Sequence, residues 1–277
     1  MGLQTMDNSA VLAGEQHMRV KRCRHGLMLY NSSDIYIGRS LDLYGEYSHG
    51  EADVFERLLR PGMIAVDVGA NIGCHTLLMA RLVGAEGAVI AFEPQRVVYQ
   101  NLCANISLNA LTNVYAINSA VGALTGSAAI AEIDYAARGN FGGVSLSDTA
   151  NGERVQVAVI DGLPLENCHL IKIDVEGMEH DVLLGATETI AQHRPALYIE
   201  NDRQDKSPEL IAHLLAANYR PFWHRPPLYN PDNFFANSEN AFAELISQNM
   251  FCMPSERNFE VAGLVEITSP EAGQGGG

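Results

Sequence analysis

The stretch Met63–Leu82, MIAVDVGANIGCHTLLMARL, decides the fold. It opens as an apolar run, Met63-Ile64-Ala65-Val66, reaches Asp67, and turns through Val68-Gly69-Ala70-Asn71-Ile72-Gly73. A helical pattern follows Thr76, with Leu77, Leu78, Ala80, Arg81 and Leu82. A buried strand, a glycine turn and a helix start in this order form the unit that opens a nucleotide-binding α/β domain. Gly69 permits a tight turn and is expected to leave room for a ligand where a Cβ would stand. Gly73 is expected to let the helix sit close to the strand, with first-turn N–H groups directed at a ligand carboxylate or phosphate.

The turn is not a dinucleotide fingerprint, because position 71 is Asn where that pattern has Gly. It is not a P-loop, since no Gly-Lys-Ser/Thr follows. An acidic strand end such as Asp67 is unfavourable beside a pyrophosphate and favourable beside a cation. S-adenosylmethionine carries both a sulfonium and an ammonium, and it suits an acid-Gly-Ala-Asn-x-Gly turn. Glu93 strengthens this reading. It ends a second apolar strand, Ala88–Phe92, about 20 residues beyond the turn, the spacing at which a carboxylate accepts both ribose hydroxyls.

Composition sets outer bounds. The chain has 277 residues, 47% of them apolar, enough for one large α/β core with an N-terminal addition. A net charge of −15 argues against a non-specific binder of nucleic-acid backbones, and no nucleic-acid partner is expected. No apolar stretch approaches the ~18 residues of a membrane span, and no signal-peptide core is evident, so a cytoplasmic protein is expected. The five cysteines, Cys23, Cys74, Cys103, Cys168 and Cys252, show neither a disulfide framework nor zinc spacing.

Read in order, residues 1–50 form an N-terminal extension. Positions 1–17 are weakly patterned and expected to be mobile. Short strands are expected at Met18–Cys23 and Leu27–Tyr30, around Arg24-His25-Gly26. The polar and aromatic run Tyr44–Glu51 reads as a lid over a ligand or as a surface loop leading into a helix over Glu51–Leu59. A catalytic domain is expected over 51–268. It would carry a helix to about Asn109, a strand at Val114–Ile117, strands at Ala128–Ile133 and Val155–Val159, and a strand at Ala196–Asn201. A helix over Pro208–Ala217 and a last strand at Phe259–Ile267 would follow. Gly139–Ser145 is too glycine-rich for a core element and is expected to be a flexible loop that contacts substrate. Positions 269–277 are expected to be a disordered tail.

The second informative stretch is Leu170–Ala186, LIKIDVEGMEHDVLLGA. Its apolar strand ends at Asp174, with Glu176 and Gly177 in the turn that follows. Strand ends in such sheets face the ligand crevice, so both carboxylates would lie where methyl donor and acceptor meet. Lys172 points to the opposite face from Ile171 and Ile173 and can pair with an acid. His224 and Arg225 offer further bases or anion contacts, and Trp223, Tyr229, Phe234 and Phe235 offer rings for stacking, or simply plug the sheet edge.

Together these motifs resemble the FkbM-type family of S-adenosylmethionine-dependent methyltransferases. The carrying residues are Val66–Gly73, Phe92-Glu93-Pro94, Asn118–Gly122, and above all Ile171–Glu179 followed by Leu183-Leu184-Gly185-Ala186. The resemblance spans about Gly50 to Tyr219. It implies a class I methyltransferase fold: a doubly wound, mostly parallel, seven-strand Rossmann-like sheet, here with a short N-terminal β extension. It also implies methyl transfer to an oxygen of a sugar, polyketide or other secondary metabolite. In such relatives, residues matching Asp67, Gly69, Asn71 and Glu93 bind the cofactor.

The candidate cofactor-binding set is Glu46, Asp67, Gly69, Ala70, Asn71, Gly73, Thr76, Glu93, Ser119, Ala120 and Asp174. The expected reaction is O-methylation of a small-molecule or glycan acceptor. An aliphatic hydroxyl needs a positioned base, for which Asp174, Glu176, His49 and His224 are the candidates. A divalent metal held by Asp174 and Glu200 is the alternative to a base, although no ligand spacing calls for one. Two other classes remain open at this point: a nicotinamide-dependent oxidoreductase, and a non-catalytic cofactor-binding scaffold. The N-terminal strands and the late aromatic segment are also surfaces on which a second copy of the chain can pack.

Overall fold

The structure is a computed structural model that describes residues 10–145, 152–257 and 263–273. The chain begins with a three-stranded antiparallel sheet, β1 (Ala13–Glu15), β2 (Met18–Cys23) and β3 (Gly26–Asn31), so part of the N-terminal segment expected to be mobile is a strand. Two helices follow, α1 (Ile37–Tyr44) and α2 (His49–Leu58). Then come β4 (Ile64–Val68), α3 (Cys74–Val83), β5 (Ala88–Phe92), α4 (Arg96–Leu108) and β6 (Val114–Ile117), a regular alternation of strand and helix. A small side sheet of β7 (Ala120–Val121), β8 (Gly126–Ile130) and β9 (Glu153–Ala158) interrupts it. The alternation resumes with β10 (Leu170–Ile173), α5 (Glu179–Leu184), α6 (Thr187–His193), β11 (Ala196–Glu200) and α7 (Ser207–Ala216). The chain closes with β12 (Tyr219–His224), β13 (Asn249–Pro254) and β14 (Val265–Glu266).

The main sheet runs β14-β12-β13-β11-β10-β4-β5-β6. The pairs among β11, β10, β4, β5 and β6 are parallel, and those involving β12, β13 and β14 are antiparallel. This is the expected doubly wound α/β architecture, with eight strands among the described residues instead of seven. The eighth is the two-residue edge strand β14, all that is described as strand within the expected Phe259–Ile267; positions 258–262 lie outside the described residues. Pro270–Gly273 forms a single 3-10 turn within the expected tail, and positions 274–277 are not among those described.

Both faces of the sheet are covered, which is why its strands read as continuous apolar runs. Successive side chains alternate between two cores. Val66, Val68, Ile171, Ile173, Leu197 and Ile199 face a core completed by Val182, Leu183, Ile190, Leu210 and Leu214 from α5, α6 and α7. Ala65, Leu170, Tyr198 and Phe251 face the other, with Phe55 of α2 and Leu78 and Met79 of α3. The chain leaves the sheet at β6 and re-enters beside β4 at β10, so the strand order reverses between β4 and β10. Crossover helices on opposite faces part at such a point, and a crevice opens beyond the strand ends.

Candidate active site

Gly69 and Asp174 meet at that crevice. A Cβ on Gly69 would stand 1.8 Å from the Asp174 carbonyl oxygen, and its φ is +77°. The space that glycine leaves is therefore occupied by the β10 backbone, not by a ligand as the sequence suggested. A Cβ on Gly73 would meet Leu102 Cδ1 at 2.7 Å, so this glycine admits helix α4 and not the strand. The turn is pinned to β5, with Gly69 N–H and Ala70 N–H both donating to the Phe92 carbonyl. Asn71 takes the left-handed φ of +51°, which Asn tolerates better than most residues, and its side-chain oxygen accepts the Ile72 N–H at 2.8 Å.

Glu93 lies at the end of β5, 3% exposed. Its Oε2 accepts the Asn71 N–H at 3.0 Å and its Oε1 the Gln95 N–H at 2.8 Å. Burial pushes its pKa up to about 7, against the pull of those two donors. The carboxylate faces an open cleft of about 530 Å³, the size of a small-molecule site. The cleft floor holds Gly69, Ala70, Asn71, Cys74, Lys172 and Asp174. A smaller cavity beyond Glu93 shares Gly69, Glu93, Gly142, Asp174 and Glu176 with the cleft and is lined further by Ser119 and Ala120. The Ser119 hydroxyl already lies within donating distance of the Ala120 and Gln156 carbonyls, at 2.8 and 2.9 Å.

Beneath the floor lies a buried charge row. Asp67 and Lys172 are register partners on β4 and β10, and Lys172 Nζ stands 3.4 Å from Asp67 Oδ1 and 3.4 Å from Asp174 Oδ2. Burial works to lower the Lys172 pKa, but Asp174 and Asp67 outweigh it and hold the ammonium charged. Thr76 donates its hydroxyl to Asp67 Oδ2 at 2.6 Å. Asp67 and Thr76, both expected at the cofactor, thus sit under the site and fix Lys172 in place.

The far wall is charged and more open. Glu176 holds a left-handed φ of +56°, and Gly177 follows at +95°. Glu179 Oε1 accepts the Gly177 N–H at 2.8 Å, and Lys206 Nζ donates to the Gly177 carbonyl. Arg203 is hydrogen-bonded to Glu176 and lies 3.3 Å from Asp202. Glu200, at the end of β11, lines the same wall, and its Oε2 is enclosed with no hydrogen-bond partner among the described residues. Burial first, then Asp174, raises the Glu200 pKa well above the carboxylate range. Burial also raises that of Glu176, with Asp174 adding to the effect and Arg203 opposing it.

The loop expected to be flexible, Gly139–Ser145, carries Asn140, Gly142 and Gly143 to the cleft. It is anchored, not loose: Phe141 is 5% exposed and packs on Tyr135, and Gln95 donates to the Phe141 carbonyl at 2.7 Å.

A sequence profile of the methyltransferase FkbM domain matches residues 67–221. The chain belongs to the FkbM methyltransferase family. Methyltransferase sdnD of Sordaria araneosa is 31% identical over 156 residues, 44% of this chain and 60% of sdnD, so the match spans less than two thirds of that relative. Among solved structures, the FkbM methyltransferase of Methylobacillus flagellatus KT is 18% identical, with a TM-score of 0.47 over 72% of this chain and 50% of the other. TYW2 of M. jannaschii, in complex with AdoMet, is 15% identical with a TM-score of 0.49 over 88% of each chain.

In this FkbM family member several expected site residues stand outside the cleft lining. Glu46 is 5% exposed and binds Arg24, Asn230 Nδ2 and the Phe234 N–H instead. His49 lies 3.6 Å from Asp53, and His224 Nδ1 is 2.8 Å from the Tyr198 hydroxyl. Trp223 stacks under Arg225, Tyr229 packs on Tyr44, and Phe234 and Phe235 pack against Gly45, so these rings serve the scaffold. Of the proposed catalytic residues, the cleft brings together Asp174 and Glu176. It adds residues the sequence reading passed over: Tyr36, His75, Asp202, Arg203 and the segment Leu245–Gln248. His75, on the first turn of α3, packs edge-on to Phe55 at 5.3 Å, and its Nε2 is buried without a partner among the described residues. Burial lowers its pKa, against the pull of Glu51. Its place right after the glycine turn was the available signal.

Proposed function

We propose that this protein is an S-adenosylmethionine-dependent methyltransferase that methylates a hydroxyl oxygen of a sugar or secondary metabolite. The observation that carries the reading is Glu93, an enclosed strand-end carboxylate facing a cleft that continues to Asp174 and Glu176. Glu93 would hold the ribose hydroxyls, and Ser119 and Ala120 would border the adenine. When bound, the cofactor supplies a methyl group on a sulfonium. The crevice residues align an acceptor oxygen with it, and that alignment contributes most of the rate. Glu176 is the better placed base: burial raises its pKa, and Arg203 engages Oε2 while Oε1 remains to take a hydroxyl proton. Asp174 is paired with Lys172 and abuts Glu200.

Calorimetric titration with S-adenosylhomocysteine, with NADH as the comparison, tests the cofactor. Micromolar binding that is lost in Glu93→Ala supports the reading, and a folded protein that binds NADH alone overturns it. Mass-spectrometric screening of hydroxylated glycans and metabolites for a gain of one methyl group then tests the acceptor class. Methylation of amines alone would overturn the oxygen assignment.

A further inference from the structure

We propose that Glu176, Glu200 and Asp202 form a binding site for one divalent cation of the Mg²⁺ or Mn²⁺ class on the acceptor side of the cleft. The three residues each offer a carboxylate oxygen, and these oxygens lie within 4.8 Å of one another. Oxygens on opposite sides of an ion bound at about 2.1 Å stand about 4 Å apart, so one ion can bridge the set with small adjustments. The donors are all hard oxygens, with no histidine or cysteine in the cluster, which favours Mg²⁺ or Mn²⁺ over zinc or copper.

Proximity of acids alone would not make a site. The second observation is Glu200 Oε2. It is enclosed, no donor among the described residues reaches it, its neighbour is another acid, Asp174, and it belongs to a side chain that lines the cleft. Leaving a buried carboxyl oxygen without a donor is costly, and a cation at the centre of the cluster would remove that cost. Charge points the same way. Lys172 is shared between Asp67 and Asp174, which leaves Arg203 as the cation contacting Glu176 and Asp202. Arg203 engages Glu176 Oε2 and Asp202 Oδ1, so each carboxylate keeps its second oxygen for an ion. With the ion held, Glu176 serves as its ligand, and the ion, in place of Glu176 as base, lowers the acceptor's pKa.

The sequence pairing of Asp174 with Glu200 gives way to a different set. The structure commits Asp174 to Lys172 and brings Asp202 up from the loop after β11. The role of the ion rests on the methyltransferase reading: beside an acceptor hydroxyl it would lower that group's pKa and fix its orientation. Its presence does not rest on that reading.

The test is a Mn²⁺ titration of the full chain followed by electron paramagnetic resonance of the free ion, with S-adenosylhomocysteine calorimetry on the same samples. The expected result is one Mn²⁺ per chain with a Kd between about 10⁻⁵ and 10⁻³ M. Binding should weaken at least ~10-fold in Glu200→Gln and in Asp202→Asn, and stay unchanged in the exposed control Glu56→Gln. Should Glu200→Gln fail to fold, Asp202→Asn decides, because its side chain is exposed. No saturable Mn²⁺ binding, or equal binding in wild type and both cluster variants, overturns the site. Mn²⁺ binding without S-adenosylhomocysteine binding would support the site and count against the methyltransferase reading, so the two failures are distinguishable.

Discussion

The two walls of the cleft are built on opposite plans. On the Glu93 side, turn, strand end and helix start come from one continuous stretch of chain, and each carboxylate oxygen meets a backbone N–H. On the Glu176 side, side chains come from the loops after β10 and β11, from the 140–143 loop and from Leu245–Gln248. There, charges face one another and one oxygen of Glu200 has no partner among the described residues. A wall saturated by its own backbone has one shape and suits a constant ligand. A wall with unspent charge, assembled from four segments, can change with its acceptor while the other stays fixed.

The contrast can be broken at its seam. Lys172 serves both walls, through Asp67 below and Asp174 above, and its side chain is 4% exposed. Lys172→Met should leave two acids uncompensated and lower stability by about 3–5 kcal/mol, read by urea denaturation. A loss below ~1 kcal/mol would mean that the walls are independent.

The next effect sharpens the division of labour. Glu176→Gln should cut turnover by about 10²-fold or more while S-adenosylhomocysteine affinity stays within about threefold. Equal losses of turnover and affinity would place Glu176 on the donor side. In Glu93→Ala the pattern should invert, with affinity falling by about 10-fold or more as the hydrogen bonds to a charged acceptor are lost.

The smallest effect is one of pH. The Glu93 pKa is raised from 4.5 to about 7, so the free protein carries this carboxyl protonated below that value. Ionised Glu93 is the better acceptor for ribose hydroxyls. S-adenosylhomocysteine affinity should therefore climb by up to ~10-fold between pH 6 and 8, and the climb should vanish in Glu93→Gln. Stability of the unliganded protein runs the other way. A raised acid keeps its proton only when folded, so this group's contribution is lost as pH rises from 4.5 to about 7. A thermal melt series in wild type and Glu93→Gln checks that sign.

The same contrast explains what the sequence revealed. Gly69, Asn71 and Glu93 declare themselves because their chemistry is local: positive φ angles, a strand end, a fixed spacing. Asp67 was placed at the right strand end, but its pairing with Lys172 was not legible, because Lys172 lies 105 residues away and meets it only through strand register. Strand β13 passed unread. Its apolar run Met250-Phe251-Cys252-Met253 is short, mixed in propensity and closed by Pro254, yet it enters the sheet between β11 and β12. Helix α1 hides Gly38, a poor helix former, whose Cβ would collide with the Asn31 carbonyl at 1.9 Å. Arg203 and Asp202 carry no motif; only the position of β11 beside β10 makes their loop part of the site.

Glu46 has a consequence of another kind. One buried carboxylate ties Arg24, near the start of the chain, to Asn230 and Phe234, near its end. Two of these contacts, to Asn230 and Phe234, close loops of 184 and 188 residues, whose closure entropy makes them expected to form late. The tie between the two ends of the chain thus acts as a late fastening on strands that α4 already holds through Asn105 and Asn109. A ribosome-bound chain still missing its last 50 residues would lack β13 and β14, and could hold only the parallel strands β11-β10-β4-β5-β6 with that fastening undone.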